Sequence, residues 1–175
     1  MTAADQTPLL RHAVAALAYR AGKVLRGFPP DSAGVRVAAA ARTPLELLDH
    51  LGDLMEWATT LARGAERWEP APAGGWDTAT ERFFRGLHAL DDALAAAPPG
   101  QQVIEQILQG PIADALTHVG QLAFLRGLAG APVRPESYAR AEIRAGRVGP
   151  DQAAPRKEFD GDASQRRREG PPAAR

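Results

Sequence analysis

Apolar residues recur every three or four positions through the first 128 residues, and proline or glycine breaks the pattern at a few points. The seam Leu10, Val14, Leu17, Ala21, Val24, Phe28 predicts a helix from about Pro8 to Phe28, stopped by Pro29-Pro30. The seam Leu47, Leu51, Leu54, Ala58, Leu61 predicts a second helix. It opens on Thr43-Pro44, an N-cap residue followed by proline in the first helical position, and Glu46 completes a capping box. It should end near Gly64, before a proline-rich loop from Pro70 to Gly75. Phe83, Leu87, Leu90 and Leu94 mark a third helix, about Thr78 to Ala97, closed by Pro98-Pro99-Gly100.

The fourth stretch, Gln101 to Leu128, is interrupted by Gly110-Pro111, where a kink is expected. From Ile112 to Leu125 it has no clearly polar face, so it should be the most buried helix. Beyond Gly130 the pattern fades. Ser137 to Ala145 allows one short helix stopped by Gly146, and after Asp151 only Phe159 is strongly apolar. The expected fold is all-α: an antiparallel four-helix bundle over 1–130, a C-terminal extension packing on it over 131–160, and a disordered tail over 161–175.

Composition narrows the function. A chain of 175 residues can bury one core. Its 21 basic and 21 acidic residues balance, so no global field favours nucleic acid or an anionic membrane, and Arg166-Arg167-Arg168 reads as a solvated cluster. There is no cysteine, which excludes a cysteine nucleophile, thiolate metal ligands and disulfides. A reaction that needs a thiol must therefore receive it from a cosubstrate. With no signal-peptide pattern and no apolar run long enough to span a bilayer, a cytoplasmic protein is expected.

Candidate chemistry lies on the second and fourth helices. Asp114 and His118 are four residues apart, hence stacked on one helical face, and Gln121 lies one turn further along the same seam of Ile107, Pro111, Asp114, His118, Gln121, Leu125 and Leu128. Polar groups at consecutive positions of a core seam require partners or a metal. The same spacing fits a surface Asp–His pair turned to solvent, and periodicity does not choose between them. His50 sits at the edge of the second seam, beside Leu47, Leu54 and Trp57, where it is either a ligand or a boundary residue; His12 and His88 read as boundary residues. Two imidazoles and one carboxylate from two helices would hold a divalent ion and leave a coordination position open.

At these residues the chain resembles the DinB-like superfamily of metalloenzymes. One stretch that carries the resemblance runs from Arg42 through Thr43-Pro44 and Asp49-His50-Leu51-Gly52-Asp53 to Trp57. The other is Asp114-Ala115-Leu116-Thr117-His118-Val119-Gly120-Gln121-Leu122, running on to Gly130. The resemblance covers about residues 8 to 160. It implies a four-helix bundle, a homodimer, and a metal held by one residue of the second helix and two of the fourth. His50 and His118 match the family's histidines, while Asp114 stands where a third histidine is usual. The implied metal is zinc, with nickel, manganese and iron as alternatives. The implied activity is that of a thiol transferase or isomerase acting on a small molecule, with a low-molecular-weight thiol as partner; Gln121, one turn beyond His118 on the same seam, is expected either to support a ligand or to orient a bound group. Two alternatives stand beside it: a non-catalytic ligand-binding or dimeric interaction bundle, and a non-haem iron enzyme that uses oxygen.

Overall fold

Breakers and caps divide the chain where the sequence places them. In the computed structural model, which describes residues 3–71 and 74–159, α1 spans Ala3–Leu25, α2 Pro44–Ala62, α3 Trp76–Ala96, α4 Gln101–Ile107 and α5 Ala113–Leu128. A five-residue π turn, Leu108–Ile112, joins α4 to α5, so these two form one interrupted fourth helix. The described residues contain no strand, only an isolated antiparallel bridge between Glu136 and Glu158, and no helix is long and apolar enough to cross a membrane. The chain is all-α.

The capping box at α2 is complete. Glu46 N–H donates to Thr43 Oγ1 at 3.2 Å, and Thr43 N–H donates to Glu46 Oε2 at 2.7 Å. Gly64, at φ +70°, takes the left-handed turn that ends the helix. Three other ends differ from expectation. α1 begins at Ala3 with Pro8 inside it and ends at Leu25 rather than Phe28, ahead of Gly27 at φ +69°, and α3 begins at Trp76 rather than Thr78.

Each long helix contributes one apolar stripe to a shared core, in which Val14, Leu17, Leu51, Met55, Phe83, Leu87 and Ile107 are sealed from solvent. α1 packs on α3 and on the fourth helix, and α2 packs on the same two. Contacts along α1 and α3 run in opposite order: Phe28 stacks on Trp76 at 4.4 Å, and Arg11 pairs with Asp91. Contacts between α2 and α5 also run in opposite order, from Trp57 beside Gly110 to Leu47 near Leu125. α2 and α3 instead share a direction. Residues 63–71 return along α2, with Ala71 N–H on Asp53, and Gly74 N–H lies near Asp49 just before α3 starts. Gly86 permits this pairing, since a Cβ there would lie 2.7 Å from Met55 Cβ.

The most buried helix is α2, not the fourth. α2 buries twelve of its nineteen residues, whereas α5 buries only Ala115, Val119 and Leu122. α2 is covered by α3, by the fourth helix and by its own returning loop. The outer side of α5 is apolar yet open to solvent, with Leu116, Phe124 and Leu128 exposed. Apolarity all round, read as burial, is here partly apolar surface.

The extension does not form the expected helix from Ser137 to Ala145; only a 3-10 turn, Tyr138–Arg140, appears. It is anchored to α1 by polar contacts. Tyr19 O–H donates to Glu136 at 2.7 Å, and Lys23 donates to Glu136 and to Glu158, both at 2.7 Å. Val148 is buried in the core. The tail over 161–175 lies outside the described residues.

Candidate metal centre

The rotational phase of two helices decides what meets at this site. The Thr43 cap and Pro44 fix where α2 starts, which sends Leu47, Leu51 and Leu54 into the core and leaves His50 on the flank that faces α5. On the other side, Pro111 has no N–H to give to the carbonyl of Ile107. The helix takes a π turn there, which adds a residue to the repeat and rotates α5 relative to α4. The seam from Ile107 to Leu128 therefore climbs out of the core. Ile107 and Pro111 are buried, Asp114 and His118 are half-buried, and Gln121 and Leu128 are exposed.

Asp114 stands between the two imidazoles. Its Oδ2 lies 3.3 Å from His50 Nε2, and its Oδ1 lies 3.3 Å from His118 Nε2. One ligand atom from each of the three residues falls within 4.8 Å of the other two. Tetrahedral coordination with bonds of ~2.0–2.1 Å sets ligand atoms ~3.3–3.4 Å apart, so the donor set fits one divalent ion with small side-chain adjustments. The His50 and His118 side chains retain 16% and 13% exposure, whereas Asp114 retains 45%, so the cluster opens to solvent on the carboxylate side.

Hydrogen bonding sets the ring nitrogens. His118 Nδ1 lies 2.8 Å from Gln121 Oε1. With the amide oxygen accepting, Nδ1 carries the proton and Nε2 presents its lone pair toward Asp114, the arrangement that orients a metal-binding imidazole. Gln121 thus orients a candidate ligand and also lines the adjoining pocket. His50 is held below the usual imidazole range, chiefly by burial and next by the charge of Arg42; its hydrogen bond to Asp114 acts in the opposite sense. Neutral imidazole is the form that binds a metal. Of the four histidines, His12 and His88 are exposed and lie outside the cluster.

Aromatic rings back the site. Trp68 meets the His50 ring edge-on at 5.9 Å and Trp57 at 5.7 Å, and Trp57 also packs against the π turn at Gly110. On the other side of His118 is a pocket of about 370 Å³. Val37, Leu47, Phe124 and Leu125 give it apolar walls, and Arg42 and Gln121 contribute polar groups to its lining. Arg36 holds the segment before α2 against this wall by pairing with Glu46 at 2.6 Å and donating to the Ala41 carbonyl. Sequence periodicity brings His50, Asp114, His118, Gln121 and Trp57 into view. It misses Trp68 and Arg42. A tryptophan just ahead of the proline-rich loop was the available signal for Trp68, and for Arg42 it was an arginine directly before a helix cap.

The cluster can do what two imidazoles and a carboxylate on a rigid frame do: bind a divalent ion, partly offset its charge, and leave the solvent side free for water or a ligand. No family model matches this chain, and comparison with curated proteins and with solved structures likewise finds no match.

Proposed function

We propose that this chain is a DinB-like four-helix bundle, with antiparallel faces between α1 and α3 and between α2 and α5. In this reading it is a metal-dependent enzyme that activates a low-molecular-weight thiol for S-transfer or isomerisation of a small molecule. The observation that carries the reading is the meeting of His50, Asp114 and His118, from two helices, with donor atoms within 4.8 Å of one another. Zinc is the expected ion, before nickel, manganese or iron.

When bound, such an ion lowers the pKa of a coordinated thiol and so makes a nucleophile available near neutral pH. The residues of the chain supply the rest. His50 offers neutral imidazole because burial and Arg42 disfavour its charged form. Asp114 supplies one negative charge, which limits the net charge of the loaded site. Gln121 keeps His118 in the tautomer that ligates. Leu47, Phe124 and Leu125 form an apolar wall beside His118, where a second reactant can be held with less competing water. The chain has no thiol of its own, which fits a supplied cosubstrate. The two-histidine, one-carboxylate composition also favours a second reading, iron(II) with oxygen chemistry.

The absence of cysteine makes the first reading easy to test. Cobalt(II) replaces zinc in many sites and reports a sulfur ligand by a charge-transfer absorption. Adding N-acetylcysteine to cobalt-loaded protein should produce that absorption, which can come only from the added thiol. An unchanged spectrum at millimolar thiol, with cobalt bound, would end the thiol reading.

A further inference from the structure

We infer that the pocket beside His118 selects an anionic, amphipathic small molecule, with Arg42 pairing its anionic end and Phe124 and Val37 covering its apolar body. For any reaction of the bound ligand this rests on the metal-site reading. The selection itself rests on the pocket alone.

Charge comes first. Arg42 lines the pocket and has no acidic partner among the described residues, whereas Arg36, a few residues earlier, is taken up by Glu46. No Asp or Glu lines the pocket. The nearest carboxylate of the site, Asp114, is engaged by His50 and His118. Arg42 is exposed, and its unpaired guanidinium beside an apolar wall suits a carboxylate or a similar planar anion, which it can bind in a bidentate manner.

Shape comes second. At about 370 Å³ the pocket lies at the small end of small-molecule sites. Phe124 is 66% exposed and Val37 52%, both on its walls. Large apolar side chains left open beside a polar cluster are surfaces for a ligand to cover. They lie on two different segments, the connection before α2 and α5, so a bound molecule bridges the two. Arg42 and His118 line the same pocket, so a bound molecule sets its anionic group on Arg42 and its apolar body on Val37 and Phe124 while lying beside the imidazole.

The test compares 4-phenylbutyrate with 4-phenylbutan-1-ol, which share an apolar body and differ in the charged end. Both are titrated by ligand-observed NMR into metal-free and into metal-loaded full-length protein, and metal content is measured on the same preparations. In metal-free protein the acid should bind about tenfold more tightly than the alcohol, the worth of one charge-assisted contact. Arg42→Gln should erase that preference and leave binding of the alcohol unchanged. Phe124→Ser should weaken both probes alike. Equal binding of acid and alcohol to metal-free protein, a preference that survives Arg42→Gln, or no binding of either probe would overturn the inference. A protein that takes up no metal yet shows the Arg42-dependent preference would keep this inference and end the metal reading.

Discussion

Thr43 shows how far one side chain reaches into the site. Its hydroxyl caps α2, its own N–H is capped in return by Glu46, and the phase set there carries His50 to α5 seven residues later. Thr43→Ala should cost about 1 kcal/mol, a fall of about 2–4 °C in melting temperature for a chain of this size; no change on thermal unfolding would contradict the role of the cap. Gly86 is the second single-residue test. An alanine Cβ there meets Met55 Cβ at 2.7 Å. Gly86→Ala should therefore destabilise by about 1–3 kcal/mol through overpacking, read by denaturant unfolding, and a neutral result would mean that α2 and α3 are free to separate. At this scale the candidate ligands were legible in the sequence, because an i, i+4 pair and a capped helix carry their geometry with them. Arg42 and Trp68 were not. Their places depend on how the segments 26–43 and 63–71 fold back, and those segments have no repeating pattern to read.

Helix existence was legible from the seams, and the interruption at Pro111 was legible from its missing N–H. The form it takes, a π turn rather than a bend within an α-helix, depends on how the next helix must face α2. The burial of α5 was misread because an apolar surface and an apolar interior have the same composition; Leu116, Phe124 and Leu128 look like core residues until the neighbouring helices are in place. The extension was legible only as a weakly apolar segment. What fixes it is a set of charges across more than a hundred residues of sequence, with Lys23 between Glu136 and Glu158. The Glu136 side chain is fully buried and that of Lys23 nearly so. Lys23→Met would leave a buried carboxylate without its cation, and should cost about 3–5 kcal/mol near neutral pH. The pH dependence comes from Glu158, whose carboxyl is held below the usual range by its hydrogen bond to Lys23 first. A depressed carboxyl stabilises the fold above its unfolded pKa of about 4.5, and that stability is lost as pH falls through the folded value. The deficit of Lys23→Met relative to the parent should therefore shrink on acidification below about pH 4.5. A deficit that grows toward acid, in parallel chemical denaturation at pH 7 and pH 4, would show that the lysine does not act through these carboxylates.

For the molecule as a whole, direction and order bring the site together. α2 and α5 run in opposite senses, which sets His50 against both Asp114 and His118 and leaves the pocket between the start of α2 and the end of α5. The helical class was legible from four periods, but the shared direction of α2 and α3 was not, because it arises from a long loop returning along α2. The homodimer that the resemblance implies is a separate matter. Exposed Leu116 and Leu128, which lie outside the pocket, support it, and sedimentation at micromolar protein should give twice the 18.6 kDa monomer mass; a single species at monomer mass would contradict it. The metal reading is the central claim, and the decisive measurement is the metal content of protein made without a histidine tag, for the parent and for His50→Ala, His118→Ala, His12→Ala and His88→Ala. One divalent ion per chain is expected in the parent, in His12→Ala and in His88→Ala, with loss of tight binding in His50→Ala and His118→Ala, since two remaining ligands hold zinc poorly. The claim is contradicted if the parent refuses zinc, nickel, manganese and iron alike, or if metal persists without His50 and His118 and disappears without His12 or His88.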